Sequence, residues 1–89
     1  MANKIYKYPL DEMMPDTEVA GRFVTALCVD YQNGKPYLWA VVNDEMPVIA
    51  CRVFRVGTGQ PIDETVSLAR YLNTTVAQSE PYVWHWFWR

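Results

Sequence analysis

Apolar and polar residues alternate along most of this chain, and most strongly near its end. Tyr82, Trp84, Trp86 and Trp88 occupy every second position, with Val83, His85 and Phe87 between them. Successive side chains of a strand point to opposite faces, so these residues form two rows, one on each face. Both rows are largely apolar. Such a strand needs cover twice, from a core on one side and from a second layer or a partner on the other.

The same period of two recurs upstream. Residues 4–10 alternate Ile5 and Lys7 against Tyr6 and Tyr8, and Pro9 ends that strand or places it at a sheet edge. Residues 11–22, with Pro15, Gly21 and several acids, read as a loop with one extended patch. Residues 23–32 form a strand with Phe23, Leu27, Val29 and Tyr31 on one face and Val24, Ala26 and Cys28 on the other. Asn33-Gly34 follows, the pair that best tolerates positive φ in a two-residue hairpin turn. The strand then returns over 35–43, alternating Tyr37, Trp39 and Val41 against Leu38, Ala40 and Val42.

After a turn at 44–47, residues 48–56 make a further strand, broken by Gly57-Thr58-Gly59-Gln60-Pro61. Residues 63–71 fit either a short helix capped by Asp63 or more strand. Residues 72–78 look like a strand, 79–81 a turn, and 82–88 the aromatic strand. The sum is one all-β domain over residues 1–89, with five or six strands and at most one short helix. An antiparallel sandwich or small barrel is the expected architecture. Leu27, Val29, Trp39, Val41, Val53 and Trp84 are its expected core. Trp84 is assigned inward, and Trp86 or Trp88 to a contact surface.

Composition changes this picture in one respect. The 89 residues are 51% hydrophobic and 15% aromatic, more than a core of this size strictly needs. A homo-oligomer or a large binding face is the simplest use of the excess. The net charge of −2 argues against a protein that lives by gripping phosphate backbones. Cys28 and Cys51 are too few and too far apart for a disulfide framework or a zinc site. No leader-like or membrane-spanning apolar segment is visible, which points to a cytoplasmic protein without a membrane role.

Candidate chemistry is sparse. The loop Gly57, Thr58, Gly59 and Gln60 could cradle an anion with its amides. It lacks the Lys-Ser/Thr of a phosphate loop and the third glycine of a dinucleotide fingerprint, so a tight reversal is the simpler reading. His85 is the sole histidine, with no partner acid or metal ligand at useful spacing, and reads as a packed ring with its N–H satisfied. Arg52 and Arg55 lie on opposite faces of one strand. Arg55 is the one offered to a ligand phosphate, with Trp86 or Trp88 as a stacking or contact group. No enzyme, cofactor or metal is expected.

Four segments occur here in order: Ile5-Tyr6-Lys7-Tyr8-Pro9-Leu10, Leu38-Trp39-Ala40-Val41-Val42, Val56-Gly57-Thr58-Gly59-Gln60-Pro61-Ile62 and Val83-Trp84-His85. In this the chain resembles a family of short uncharacterised proteins carried by tailed phages and prophages. The family commonly has His where this chain has Gln60, and fewer tryptophans at the end. The resemblance implies a setting, a small accessory protein expressed inside an infected bacterium. It implies no activity.

The resulting expectation is a non-enzymatic protein that binds and occludes a host protein or complex, as a homo-oligomer. The alternatives are a small-ligand binder that sequesters a nucleotide signal through residues 57–60, and a single-stranded nucleic-acid binder on the aromatic sheet.

Overall fold

The computed structural model describes residues 2–76 and 82–89. Seven strands and one helical turn follow in order: β1 (Lys4–Pro9), β2 (Asp16–Gly21), β3 (Phe23–Gln32), β4 (Lys35–Val42), β5 (Ile49–Gly57), α1 (Glu64–Ser67), β6 (Arg70–Val76) and β7 (Val83–Trp88). They make two antiparallel sheets, β1-β4-β3 and β2-β5-β7-β6, stacked as a sandwich rather than closed into a barrel. The fold class is the expected one, with seven strands instead of five or six. The end of the 72–78 prediction and the 79–81 turn lie outside the described residues.

The additional strand is β2, from the segment 11–22 that reads as a loop with one extended patch. It pairs only with β5 and so sits at a sheet edge, and of its six residues only Val19 is buried. A polar edge strand carries little of the apolar alternation that marks a strand in sequence. The segment 63–71 resolves into both of its readings. Asp63 caps α1 by accepting from the Val66 N–H at 3.0 Å, and β6 begins three residues after the helix ends.

The β3–β4 hairpin turns at Asn33 (φ 54°) and Gly34 (φ 77°), both left-handed as a two-residue turn of this kind requires. Upstream, β3 departs from simple alternation. Its register against β4 shifts between Phe23 and Thr25 and again between Ala26 and Cys28. Each bulge inserts one residue and resets the inward face. The buried positions of β3 are therefore Phe23, Ala26 and Val29, at a spacing of three.

These bulges correct the expected core. Val29 is fully buried, but Leu27, expected beside it, is 44% exposed. On β4 the buried row is Leu38, Ala40 and Val42, and Trp39 and Val41 are only half-buried on the outer face. Alternation identifies which residues share a face; it does not say which face turns inward. Val53 is buried as expected, and Trp84 is half-buried against the core rim.

The second sheet completes the core with Val19, Cys51, Val53 and Trp86. Tyr8, Phe23 and Trp88 stack edge to face at one side, with ring centres 5.1 and 6.1 Å apart. β7 lies centrally, paired with β5 on one side and β6 on the other. Its tryptophan row faces the core. Trp86 is 2% exposed and donates its indole N–H to Thr75 Oγ1 at 2.7 Å. Trp88 is half-buried, against Phe23 and under the Arg70 guanidinium. Neither is the surface contact group expected of it, because a central strand has both its edges and its inner face occupied.

The outer row of β7 is covered too. Phe87 packs with Phe54, Val56, Val66 and Ala69 beneath α1. The two-sided aromatic strand thus finds both of its covers within the chain.

Candidate functional site

The loop after β5 arches back over the outer face of the second sheet. On that face Val56 pairs across to His85 and His85 to Thr74, while Phe54 pairs to Phe87 and Phe87 to Tyr71. Between loop and sheet lies a cleft of about 320 Å³. Its floor is formed by Val56, His85, Phe87 and Tyr71, and its wall by residues 57–60 and Ile62. A volume of this size is at the lower end of what small-molecule sites use.

A continuous chain of polar contacts runs through the floor. Tyr71 Oη lies 2.6 Å from Thr74 Oγ1, Thr74 Oγ1 lies 2.9 Å from His85 Nδ1, and His85 Nε2 lies 2.9 Å from Thr58 Oγ1. Both ring nitrogens of His85 are held by hydroxyls. A hydroxyl donates once and accepts twice, so each threonine can serve either tautomer of the ring. Residues from two strands and one loop converge on His85, the residue that the sequence leaves as a packed ring.

The loop's amides turn inward. The Gly57 N–H donates to Gln60 Oε1 at 2.7 Å, the Thr58 N–H to the Val83 carbonyl at 3.2 Å, and the Gln60 N–H to the Gly57 carbonyl at 3.0 Å. Gly59 supplies the positive φ of 87° that the turn requires. Three of the four amides that an anion would need are consumed in shaping the loop.

Arg55 lies on the opposite face of β5, its guanidinium 4.2 Å from the centre of the Trp84 ring, and does not line the cleft. Of the residues singled out from sequence, Gly57, Thr58, Gly59 and Gln60 come together at the cleft. Arg55, Trp86 and Trp88 face the other way.

The whole chain, residues 1–89, matches a family described as a domain of unknown function, DUF7352. The chain belongs to the DUF7352 family. No curated protein and no solved structure matches it.

A second cleft of the DUF7352 domain, of about 290 Å³, sits at the other end of the same face and brings Arg52 and Arg89 beside Phe54. Arg52 is engaged there by Asp16 at 2.6 Å and Glu18 at 3.3 Å, which satisfies its charge locally. Among the described residues no three His, Cys, Asp or Glu side chains converge as a metal site would need, and no helix is long and apolar enough to cross a membrane. Both cysteines of the DUF7352 domain are free thiols. Burial raises both above the ordinary thiol value, and the Asp30 carboxylate adds to the rise at Cys28.

The His85 contacts were partly foreshadowed. Alternation against the tryptophan row places His85 on the face opposite the core. Its partners were hidden, since Thr74 and Thr58 stand 11 and 27 residues away and meet it only through the β5-β7-β6 register.

Proposed function

We propose that the DUF7352 domain is a non-enzymatic binding protein that occludes a protein partner, docking it on the outer face of the β1-β4-β3 sheet. The observation that carries this reading is the unequal cover of the two sheets. The four-stranded sheet has α1 and the 57–62 loop over its outer side. Over the outer side of the three-stranded sheet the described residues place nothing comparable. Ile5 is 63% exposed there, and Val24 and Leu27, the extra residues of the two β3 bulges, are 46% and 44% exposed. Trp39 and Val41 lie half-buried between them.

An exposed apolar sheet face of this kind is what a docking surface looks like before its partner arrives. Trp39 supplies the type of residue that anchors interfaces. Its indole N–H is buried with no acceptor among the described residues, a cost of about 1–3 kcal/mol borne within the sheet. Lys7, opposite Trp39 in the register, and Lys35, on the same row of β4 as Trp39, are cations of this face and would meet carboxylates of the partner. Two lysines are too little charge for a nucleic-acid backbone, so an apolar protein surface with an acidic rim fits best.

The resemblance to phage-carried proteins supplies the setting for the proposal: the cytoplasm of an infected bacterium, with a host protein as the partner. The test is a pair of variants, Ile5→Asp with Leu27→Asp, against Thr58→Val as control. A partner retained by the parent and by Thr58→Val, and lost by the double variant at unchanged melting temperature, supports the reading. Retention by the double variant, or its dissociation from a homodimer with no other protein involved, contradicts it.

A further inference from the structure

We propose that the His85 cleft is a site for an uncharged heteroaromatic ring of the nucleobase class, read without any contact to phosphate. The inference uses none of the side chains of the docking face. It starts from what lines the cleft. Among the described residues that form it there is no Lys, Arg, Asp or Glu, so neither an anion nor a cation finds a counter-charge. Of the loop amides that could replace a cation, those of Gly57, Thr58 and Gln60 are already engaged by Gln60 Oε1, the Val83 carbonyl and the Gly57 carbonyl. Phosphate recognition, the natural guess for a Gly-Thr-Gly loop, is left with one loop amide and no cationic side chain among the described lining residues.

What the cleft does offer is a floor of rings with hydroxyl groups at each end. Tyr71 and Phe87 meet edge to face, with centres 5.5 Å apart, and His85 lies beside Phe87 along the same strand face. Aromatic rings displayed on a sheet are a surface on which planar bases stack, since every base has a π-face. Ile62 at the wall and Val56 in the floor add apolar contact for a flat ligand.

The hydroxyl–imidazole chain provides the edge contacts. With the proton on Nε2, the hydrogens run Tyr71 to Thr74 to Nδ1, and Nε2–H donates to Thr58, whose own O–H is then free to donate to a ligand. With the proton on Nδ1 every bond reverses, and Thr58 Oγ1 offers only a lone pair outward while Tyr71 donates. The same four side chains therefore meet a ligand acceptor or a ligand donor at Thr58 with no change of net charge. A nucleobase edge carries donors and acceptors side by side, and a site that can present either suits it.

The experiment is a titration of the full chain with adenosine, guanosine, cytidine and uridine, each beside its 5′-monophosphate, followed by nuclear magnetic resonance. The proposal expects saturable shifts at Thr58, Tyr71, His85 and Phe87 for at least one nucleoside, with Kd about 1 mM or tighter. Nucleoside and monophosphate should bind within about threefold of each other, with little change between low and high salt. Thr58→Val should weaken binding about fivefold or more, and Thr58→Ser should restore it. Ile5→Asp should leave it unchanged, which separates this site from the docking face. Binding confined to the monophosphates, equal binding by Thr58→Val, binding only of single-stranded oligonucleotides, or no saturable shift with any nucleoside would each overturn the proposal.

Discussion

The side chain of Asn73 pairs with the backbone of Val29 as a neighbouring strand would. The Val29 N–H donates to Asn73 Oδ1 at 2.8 Å, and Asn73 Nδ2 donates back to the Val29 carbonyl at 2.7 Å. Val29 belongs to β3 and Asn73 to β6, the edge strands of different sheets, so one carboxamide joins the two layers. Arg70 adds a second link three residues earlier, donating to the Ala26 carbonyl at 2.7 Å.

Asn73→Ala should therefore be costly. It leaves an N–H and a carbonyl of fully buried Val29 without partners, each worth about 1–3 kcal/mol. A total loss of about 2–6 kcal/mol follows, enough to unfold much of a small domain at ambient temperature. Asn73→Asp keeps the acceptor for Val29 N–H but sets a carboxylate against the carbonyl, and should lose a similar amount. Urea denaturation followed by tryptophan fluorescence checks both. A loss below about 1 kcal/mol for Asn73→Ala would mean that water replaces the side chain.

Gly21 makes a narrower claim. A Cβ built there would lie 2.7 Å from Tyr8 Oη and 3.0 Å from the tip of Phe23. Both rings belong to the edge-to-face stack at the core rim. Gly21→Ala should cost about 1–3 kcal/mol through overpacking. Tyr8→Phe removes the nearest clashing atom, so the double variant should be more stable than Gly21→Ala alone. Additive losses in that double-mutant cycle would place the strain elsewhere.

How much of this could be read beforehand depends on the element. The Asn33-Gly34 turn was legible, because its chemistry is local. The break at 57–61 was legible for the same reason. The burial of Leu38 instead of Trp39 was not, since the two rows of β4 are equally apolar and only the opposing sheet decides between them. The β3 bulges were not legible either, because an inserted residue leaves no mark in an apolar run. They moved Leu27 from the core to the surface and so produced the face on which the proposed docking rests. β7 was correctly seen to need two covers. Its second cover, one helical turn carrying Val66 together with the returning loop, looked too small in sequence to serve.

The thiols give a pH-dependent prediction. Burial holds both Cys28 and Cys51 protonated beyond the ordinary thiol range, with Asp30 contributing at Cys28. Alkylation by iodoacetamide should follow a profile displaced to higher pH than a free thiol, and Cys28, the less buried, should react first. The unfolded chain releases these protons more readily than the folded one. Stability should thus be undiminished below the ordinary thiol value and should fall as pH rises past it. Cys28→Ser with Cys51→Ala should flatten that alkaline decline in urea titrations. An unchanged decline in the double variant would assign it to other groups.

Hydrogen exchange tests the central claim most directly. The full chain is compared alone and in complex with the purified protein that it captures, with peptides resolved across β1, β3 and β4. Docking on the outer face of the three-stranded sheet predicts new protection in 4–9, 23–28 and 37–42, with the 57–62 loop unchanged. Protection confined to the cleft or to the β2-β5-β7-β6 sheet would contradict it.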